Sequence, residues 1–257
     1  MQIWGVFDCS VRIMKLGLSR GIAAIAVTAA ALLTLAACSD DSSDSADSTT
    51  STTESGEAAL DSDLRAEDLV LVETDFTVPG DFVVYDKAAI DAKKSEDPDV
   101  TPANCAAIVE NDEDAEEFDK ARAELTLADG STIESEVTLG VNGSFESVAA
   151  DIEACPAMTM TSVSDSGKLV AELENSIVDV EGATVPAKMV VSVGEANSDG
   201  VAMPLAIRSA GAYVDGVTVG VTVTLIGDNA TTWTEDDDAI VLDLLNKQIA
   251  KVQESAA

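Results

Sequence analysis

Three turn signals constrain this chain more than anything else in it. Asp129-Gly130, Ser166-Gly167 and Asp215-Gly216 each separate two apolar or alternating stretches. Such dipeptides supply the left-handed backbone of a tight hairpin. Their flanks are therefore predicted to pair antiparallel: residues 121–127 with 132–139, 158–164 with 169–180, and 202–213 with 217–226. Val217, Val219, Val221, Val223 and Leu225 fall on one side of an alternating strand. Residues 81–85, after the Pro79-Gly80 turn, and 187–193 are further strand candidates.

Helices are fewer. Asp61 or Ser62 is placed as the cap of a short helix carrying Leu64, Leu69 and Val70. Thr101-Pro102 reads as a second opening, Thr at the cap and Pro at the first helical position. Phe145, Val148, Ile152 and Cys155 share one helical face. At the C-terminus Thr234 caps a helix with Glu235 to Asp238 at its positive end and Leu242, Leu245, Ile249 and Val252 as its apolar stripe. Hairpin-linked strands with a few helices give an α+β class: a mainly antiparallel twisted sheet, helices packed on one face, and a single domain over residues 61–257.

What precedes the domain has a different character. Arg12, Lys15 and Arg20 lead into the uncharged run 21–37, GIAAIAVTAAALLTLAA. A basic region followed by an apolar one is a secretory signal. It ends in Leu35-Ala36-Ala37-Cys38, the lipobox pattern of bacterial lipoproteins. On that reading residues 1–37 are removed, the true start being Met14, and Cys38 is lipidated as the first mature residue. The alternative is an uncleaved membrane anchor with a chance Cys; its 17 residues lie at the short end for a span. Residues 38–60 comprise this Cys and a Ser/Thr/Asp-rich tether too polar to fold. Its relaxed span is roughly 25 Å and its full reach roughly 75 Å. Thr49 to Thr53 reads either as an O-glycosylation cluster or as bare spacer. The location implied is the extracytoplasmic face of the cell membrane, held by acyl chains.

Charge and composition exclude several function classes. The chain has 48 Asp+Glu, 14 Lys+Arg and no His, a formal charge of −34. The removed segment holds one acid, Asp8, and three bases, so the mature chain carries 47 acids and 11 bases. Such a body repels phosphate backbones, which argues against nucleic-acid partners. The lack of His removes Ser-His-Asp and Cys-His catalysis and most zinc sites. No Gly-x-Ser-x-Gly elbow, P-loop or dinucleotide motif is present. Asp112, Asp114 and Glu116 fit the first positions of a calcium loop, but Glu117 stands where Gly is required and Ala123 where the closing Glu is required. No catalytic residue, metal site or cofactor is assigned. Seven mature aromatics are expected mostly in the core, which weakens a sugar-stacking surface. Of four cysteines, Cys105 and Cys155 remain for an exported domain and are expected to bond, the alternative being two buried thiols.

Pro79-Gly80-Asp81-Phe82, the helix start Pro102-Ala103-Asn104-Cys105 and the helix from Val148 to Cys155 bring a family into view. In these motifs, over roughly residues 64–253, the chain resembles actinobacterial (mycobacterial and corynebacterial) secreted lipoproteins related to the extracellular sensor domain of the PknH-type serine/threonine kinase. The resemblance implies an antiparallel α/β sandwich with a cleft. The family domain carries two disulfides, whereas this chain can form one, and no kinase domain is present. The function implied is a non-enzymatic, sensor-like domain binding a small ligand or an envelope protein. A lipid or glycolipid carrier with an apolar cavity is the alternative.

Overall fold

The computed structural model describes residues 7–8, 28–29, 64–92, 98–109, 118–140, 145–164, 167–198, 200–233 and 235–255. Phe7–Asp8 and Thr28–Ala29 form a two-residue antiparallel pair. Cys38, the tether and the acidic segment 110–117 lie outside the described residues.

From residue 64 onward the elements are α1 (Ala66–Leu69), β1 (Asp81–Tyr85), α2 (Lys87–Ala92), β2 (Asp99–Thr101), α3 (Ala106–Val109), β3 (Lys120–Thr126) and β4 (Thr132–Leu139). They continue as α4 (Phe145–Ala154), β5 (Ala157–Ser164), β6 (Gly167–Asp179), β7 (Ala187–Ser198), β8 (Val201–Val214), β9 (Val217–Ile226), α5 (Asp228–Thr231) and α6 (Glu235–Ser255). The nine strands form one sheet in the order β1-β3-β4-β9-β8-β7-β6-β5-β2, antiparallel throughout. The α+β class, the antiparallel sheet and the single domain are as expected. All three hairpins form. Asp215 and Gly216 adopt φ of 49° and 80°, the left-handed pair that a two-residue hairpin turn requires.

Every ladder keeps one continuous register, so residue parity assigns each side chain to a face. One face carries Ala121, Ala123, Ile133, Val137, the odd-numbered valines of β9, and Ala210, Ala212 and Val214 of β8; these pack beneath α1 and α6 in one core. The other face carries Met158, Met160, Leu169, Leu173, Leu205 and Ile207, packed beneath Val148 and Ile152 of α4 in a second core. The helices thus divide between the faces. α6 lies over β8 and β9 on the first face, while α4 lies over β6 on the second. The reason is that the sheet carries apolar side chains on both faces, and each set needs its own cover.

The α6 stripe is Val241, Leu244, Leu245, Ile249 and Val252, all at most 2 % exposed. Each contributes about 1.5–3 kcal/mol by burial. Leu242, expected in that stripe, is only half-buried; it is displaced by one helical position toward Gly182. Gln248 sits in the stripe instead, fully buried. Its Oε1 accepts from Leu71 N at 3.2 Å and from Ser135 Oγ at 2.7 Å, and its Nε2 donates to Leu69 O at 2.8 Å. Lys247 donates to Asp75 O at 2.7 Å, and Lys251 donates to Val70 O. These groups lash the segment entering the domain to the C-terminal helix.

Two local expectations change. Thr101 belongs to β2, and the Thr101-Pro102 bond is cis. Pro102, not Thr101, is then the cap of the short 3-10 turn Ala103–Cys105. The first helix starts at Ala66 behind Arg65, which makes no side-chain cap; the N–H of Ala66 is instead satisfied by Asp119 Oδ2 at 3.0 Å. The proposed caps Asp61, Ser62 and Thr234 lie outside the described residues.

Candidate binding lane

The face that α4 covers at one end continues, at the other, into a lane with no apolar core. The alternation that sends Ala121, Ala123 and Leu125 into the α6 core sends Lys120, Arg122 and Glu124 the other way. Glu134, Glu136 and Thr138 of β4, and Thr218, Gly220, Thr222 and Thr224 of β9, share that side through the registers Gly220–Glu136 and Arg122–Glu136. β8 adds Ser209, Gly211 and Tyr213. One cross-sheet row therefore reads Asp179, Lys188, Gly211, Gly220, Glu136, Arg122, Tyr85. Strands lie ~4.8 Å apart, so Lys188 and Glu136 are separated by roughly 14 Å, with two glycines and no side chain between them.

Charge is concentrated on one side of this glycine strip. Arg122 Nε and Nη2 reach the same oxygen of Glu136 at 3.0 and 2.9 Å, and Nη1 lies 3.5 Å from Glu134. Glu124 stands directly opposite Glu134 in the ladder. Like charges so paired are destabilising, and here both residues are at most 9 % exposed. Lys120 meets Asp91 of α2 at 2.9 Å, and Lys87 meets the same carboxylate at 2.6 Å. Burial pushes Asp91 up, but the two ammonium groups outweigh it and hold its carboxyl below the usual range. Burial pushes Glu136 up, and Arg122 and Lys120 offset this only in part. Burial acts on Arg122 to lower its pKa, yet Glu136 and Glu134 raise it further still. The Tyr213 hydroxyl is also pushed up by burial.

Several polar atoms of the lane have no partner. Glu136 Oε1 and the hydroxyls of Thr138, Thr218 and Thr224 are buried and make no hydrogen bond, whereas Ser209 and Thr222 satisfy each other at 2.8 Å. A buried unmade hydrogen bond costs about 1–3 kcal/mol, so these four atoms are held in place at a cost to stability. Of the described helices, α2 packs on β1 and β3, α4 on β6, and α5 on β8 and β9. Thr28–Ala29 lies against β9.

At the other end of the row lies an open cavity of about 540 Å³. It is lined by the β6–β7 hairpin, chiefly Val180, Ala183, Val185 and Pro186, with Ala149 of α4 and the Asp179–Lys188 pair. That pair closes at 2.6 Å on the surface.

Cys105 and Cys155 are bonded, with Cα atoms 5.3 Å apart. The bridge ties the turn before α3 to the end of α4, at the edge of the second core. Asn175 anchors the same corner, donating to Cys155 O at 3.1 Å and accepting from Ser192 Oγ at 2.7 Å. Of the aromatics expected in the core, Phe76 is buried; Phe82, Tyr85, Phe118, Tyr213 and Trp233 are only half-buried. Among the described residues no three Asp, Glu or Cys side chains are arranged to hold a metal ion, and no helix is long and apolar enough to cross a membrane. Sequence reasoning did not single out the lane, although its signal was there: Lys120, Arg122 and Glu124 alternate with alanine, and the Asp129-Gly130 turn sets Glu136 opposite Arg122.

No protein-family model and no curated protein sequence matches the chain.

Proposed function

We propose that the chain is an extracytoplasmic lipoprotein, anchored through Cys38, whose lane binds a small polar ligand without converting it. The observation that carries this reading is the glycine-floored strip beside Arg122, Glu134 and Glu136, with unsatisfied hydroxyls around it. A surface so costly to bury is retained for recognition, because apolar residues there would stabilise the fold more. The resemblance to PknH-type sensor domains, with their cleft, supports a sensing role in the envelope. The tether lets the domain work clear of the membrane, and its negative charge keeps it off anionic headgroups.

A lipid or glycolipid carrier is the second reading, favoured by the mostly apolar cavity at the β6–β7 hairpin. Native mass spectrometry of the protein, purified gently from membranes, separates the two. A retained small polar molecule supports the lane. A retained acyl-bearing mass supports the carrier and counts against the lane.

A further inference from the structure

We infer that the outer edge of β1 docks an extended, basic-flanked segment of a partner protein, added to the sheet as a further strand. β1 and β2 are the two edges of the sheet, and the sequence treats them differently. β2 has three residues; Pro98 precedes it and the cis Thr101-Pro102 bond ends it. Short length and proline are the usual means of stopping a sheet from accepting another strand. β1 has five residues, Asp81–Tyr85, and spans roughly 17 Å. It contains no Lys and no Pro, and Phe82-Val83-Val84-Tyr85 is uncharged. Among the described residues its one strand neighbour is β3, so the backbone groups on its other side have no strand to bond.

The edge is open on both faces of the sheet. Val83 and Val84 point to opposite faces and are 41 % and 43 % exposed. The strand is also fixed in advance. It pairs with β3 over five residues, and the Phe82 ring lies 5.6 Å from that of Phe76. The turn before it packs so closely that a Cβ on Gly80 would lie 2.6 Å from Thr126 O. An incoming strand therefore meets a preformed template. Main-chain bonds supply affinity, and Val83 and Val84 favour two consecutive apolar residues in the partner. Charge selects the occupant. Asp81 and Asp86 bracket the strand and are exposed, whereas Lys87 is drawn to Asp91 at 2.6 Å. A segment with Lys or Arg at both ends meets opposite charge in either direction. A second copy does not: pairing about Val83 sets Asp86 of each chain beside Asp81 of the other, between two bodies of formal charge −34.

The test uses the full chain, ¹⁵N-labelled, and the capped peptide Lys-Thr-Ile-Val-Thr-Lys at constant ionic strength. One comparator is Glu-Thr-Ile-Val-Thr-Glu. The other is the basic peptide N-methylated at Ile and Val, which keeps its charge, has a methyl on each of its two edges, and tests the pairing without altering the protein. The expected result is saturable binding of the basic peptide, with amide shifts in β1 and β3 and slower hydrogen exchange in β1. The methylated and acidic peptides should not bind. Val84→Lys, at an exposed position, should weaken binding about tenfold or more. Val163→Lys makes the same charge change on a residue 72 % exposed in β5 and should leave binding unchanged. Equal binding of the methylated peptide, or equal weakening by both lysine variants, would mean diffuse attraction to an acidic protein and would overturn the proposal. So would shifts that leave β1 unmoved, or no saturable binding of the basic peptide. Dimerisation of the peptide-free chain that Val84→Lys abolishes would make the occupant a second copy and would overturn it too.

Discussion

Replacing Gln248 with Leu keeps the side-chain volume in the α6 stripe but removes every hydrogen bond that Gln248 makes. Leu71 N–H, Ser135 Oγ and Leu69 O are then left at buried sites with no alternative partner at that position. Each buried group left unpaired costs about 1–3 kcal/mol. The Ser135 hydroxyl can rotate and relax in part, and the new leucine recovers about 1 kcal/mol of apolar burial. The expected net loss is about 3–5 kcal/mol, which for a domain of this size lowers Tm by roughly 6–20 °C. Urea unfolding followed by far-UV circular dichroism reads it as a fall in the midpoint with unchanged slope. A second substitution, Ser135→Ala, should return about 1 kcal/mol, because it removes one of the orphaned groups. A loss below about 1 kcal/mol in Gln248→Leu, or a further loss on adding Ser135→Ala, would refute the view that this amide clasps α6 to the segment entering the domain.

Other expectations are shorter. Cys38→Ala should abolish palmitate labelling and leave an uncleaved precursor; unchanged labelling and size would remove the lipid anchor. Reducing the Cys105–Cys155 bridge opens a loop of 50 residues and should cost about 4 kcal/mol in the chain-entropy model, read as a lower urea midpoint in dithiothreitol and absent in a Cys105→Ala/Cys155→Ala variant. A Cβ at position 194 would lie 1.8 Å from Glu172 O, so Gly194→Ala should force β6 and β7 apart and lower Tm by several degrees, whereas Gly200→Ala, which meets nothing within 4 Å, should lower it less. For pH, Glu136 titrates above its ordinary 4.5 and Asp91 and Asp119 below their ordinary 3.8. The folded state binds more protons at Glu136 between 4.5 and its raised value, so stability grows as pH falls through that window. The aspartates contribute stability above 3.8 that is lost as pH falls through their depressed values. Calorimetry at fixed salt should therefore find a stability maximum on the acid side of neutral, with Glu136→Gln flattening its upper limb; a steady fall from pH 7 downward would contradict it.

Much of the fold was legible because its signals are local. A hairpin turn and the alternation beside it involve residues close in sequence, so the Asp129-Gly130 and Asp215-Gly216 pairs sufficed to set partners and registers. The disulfide followed from reading the domain as exported, which left only two cysteines to pair. The division of helices between the faces was not legible, since it depends on strand order placing apolar rows on both sides of the sheet. Gln248 was hidden for a related reason: a polar residue inside a helical stripe reads as solvent-facing until the carbonyl of Leu69 and the hydroxyl of Ser135 are brought to it from far along the chain. The lane was the nearest miss. Its charges were visible in β3 and β4 as an ordinary polar strand face, and only the order of β4, β9 and β8 puts Gly220 and Gly211 beside them.

Ligand is proposed to lie along that strip. This is tested most directly by filling the floor. Ligand released by denaturing the parent protein is titrated into ¹⁵N-labelled parent, Gly220→Leu and Val163→Leu, the last altering a side chain 72 % exposed on the opposite face. Parent and Val163→Leu should show amide shifts in β3, β4, β8 and β9, and Gly220→Leu, still folded by its own spectrum, should show none. Equal shifts in Gly220→Leu, or shifts confined to residues 180–188 around the hairpin cavity, would contradict the claim.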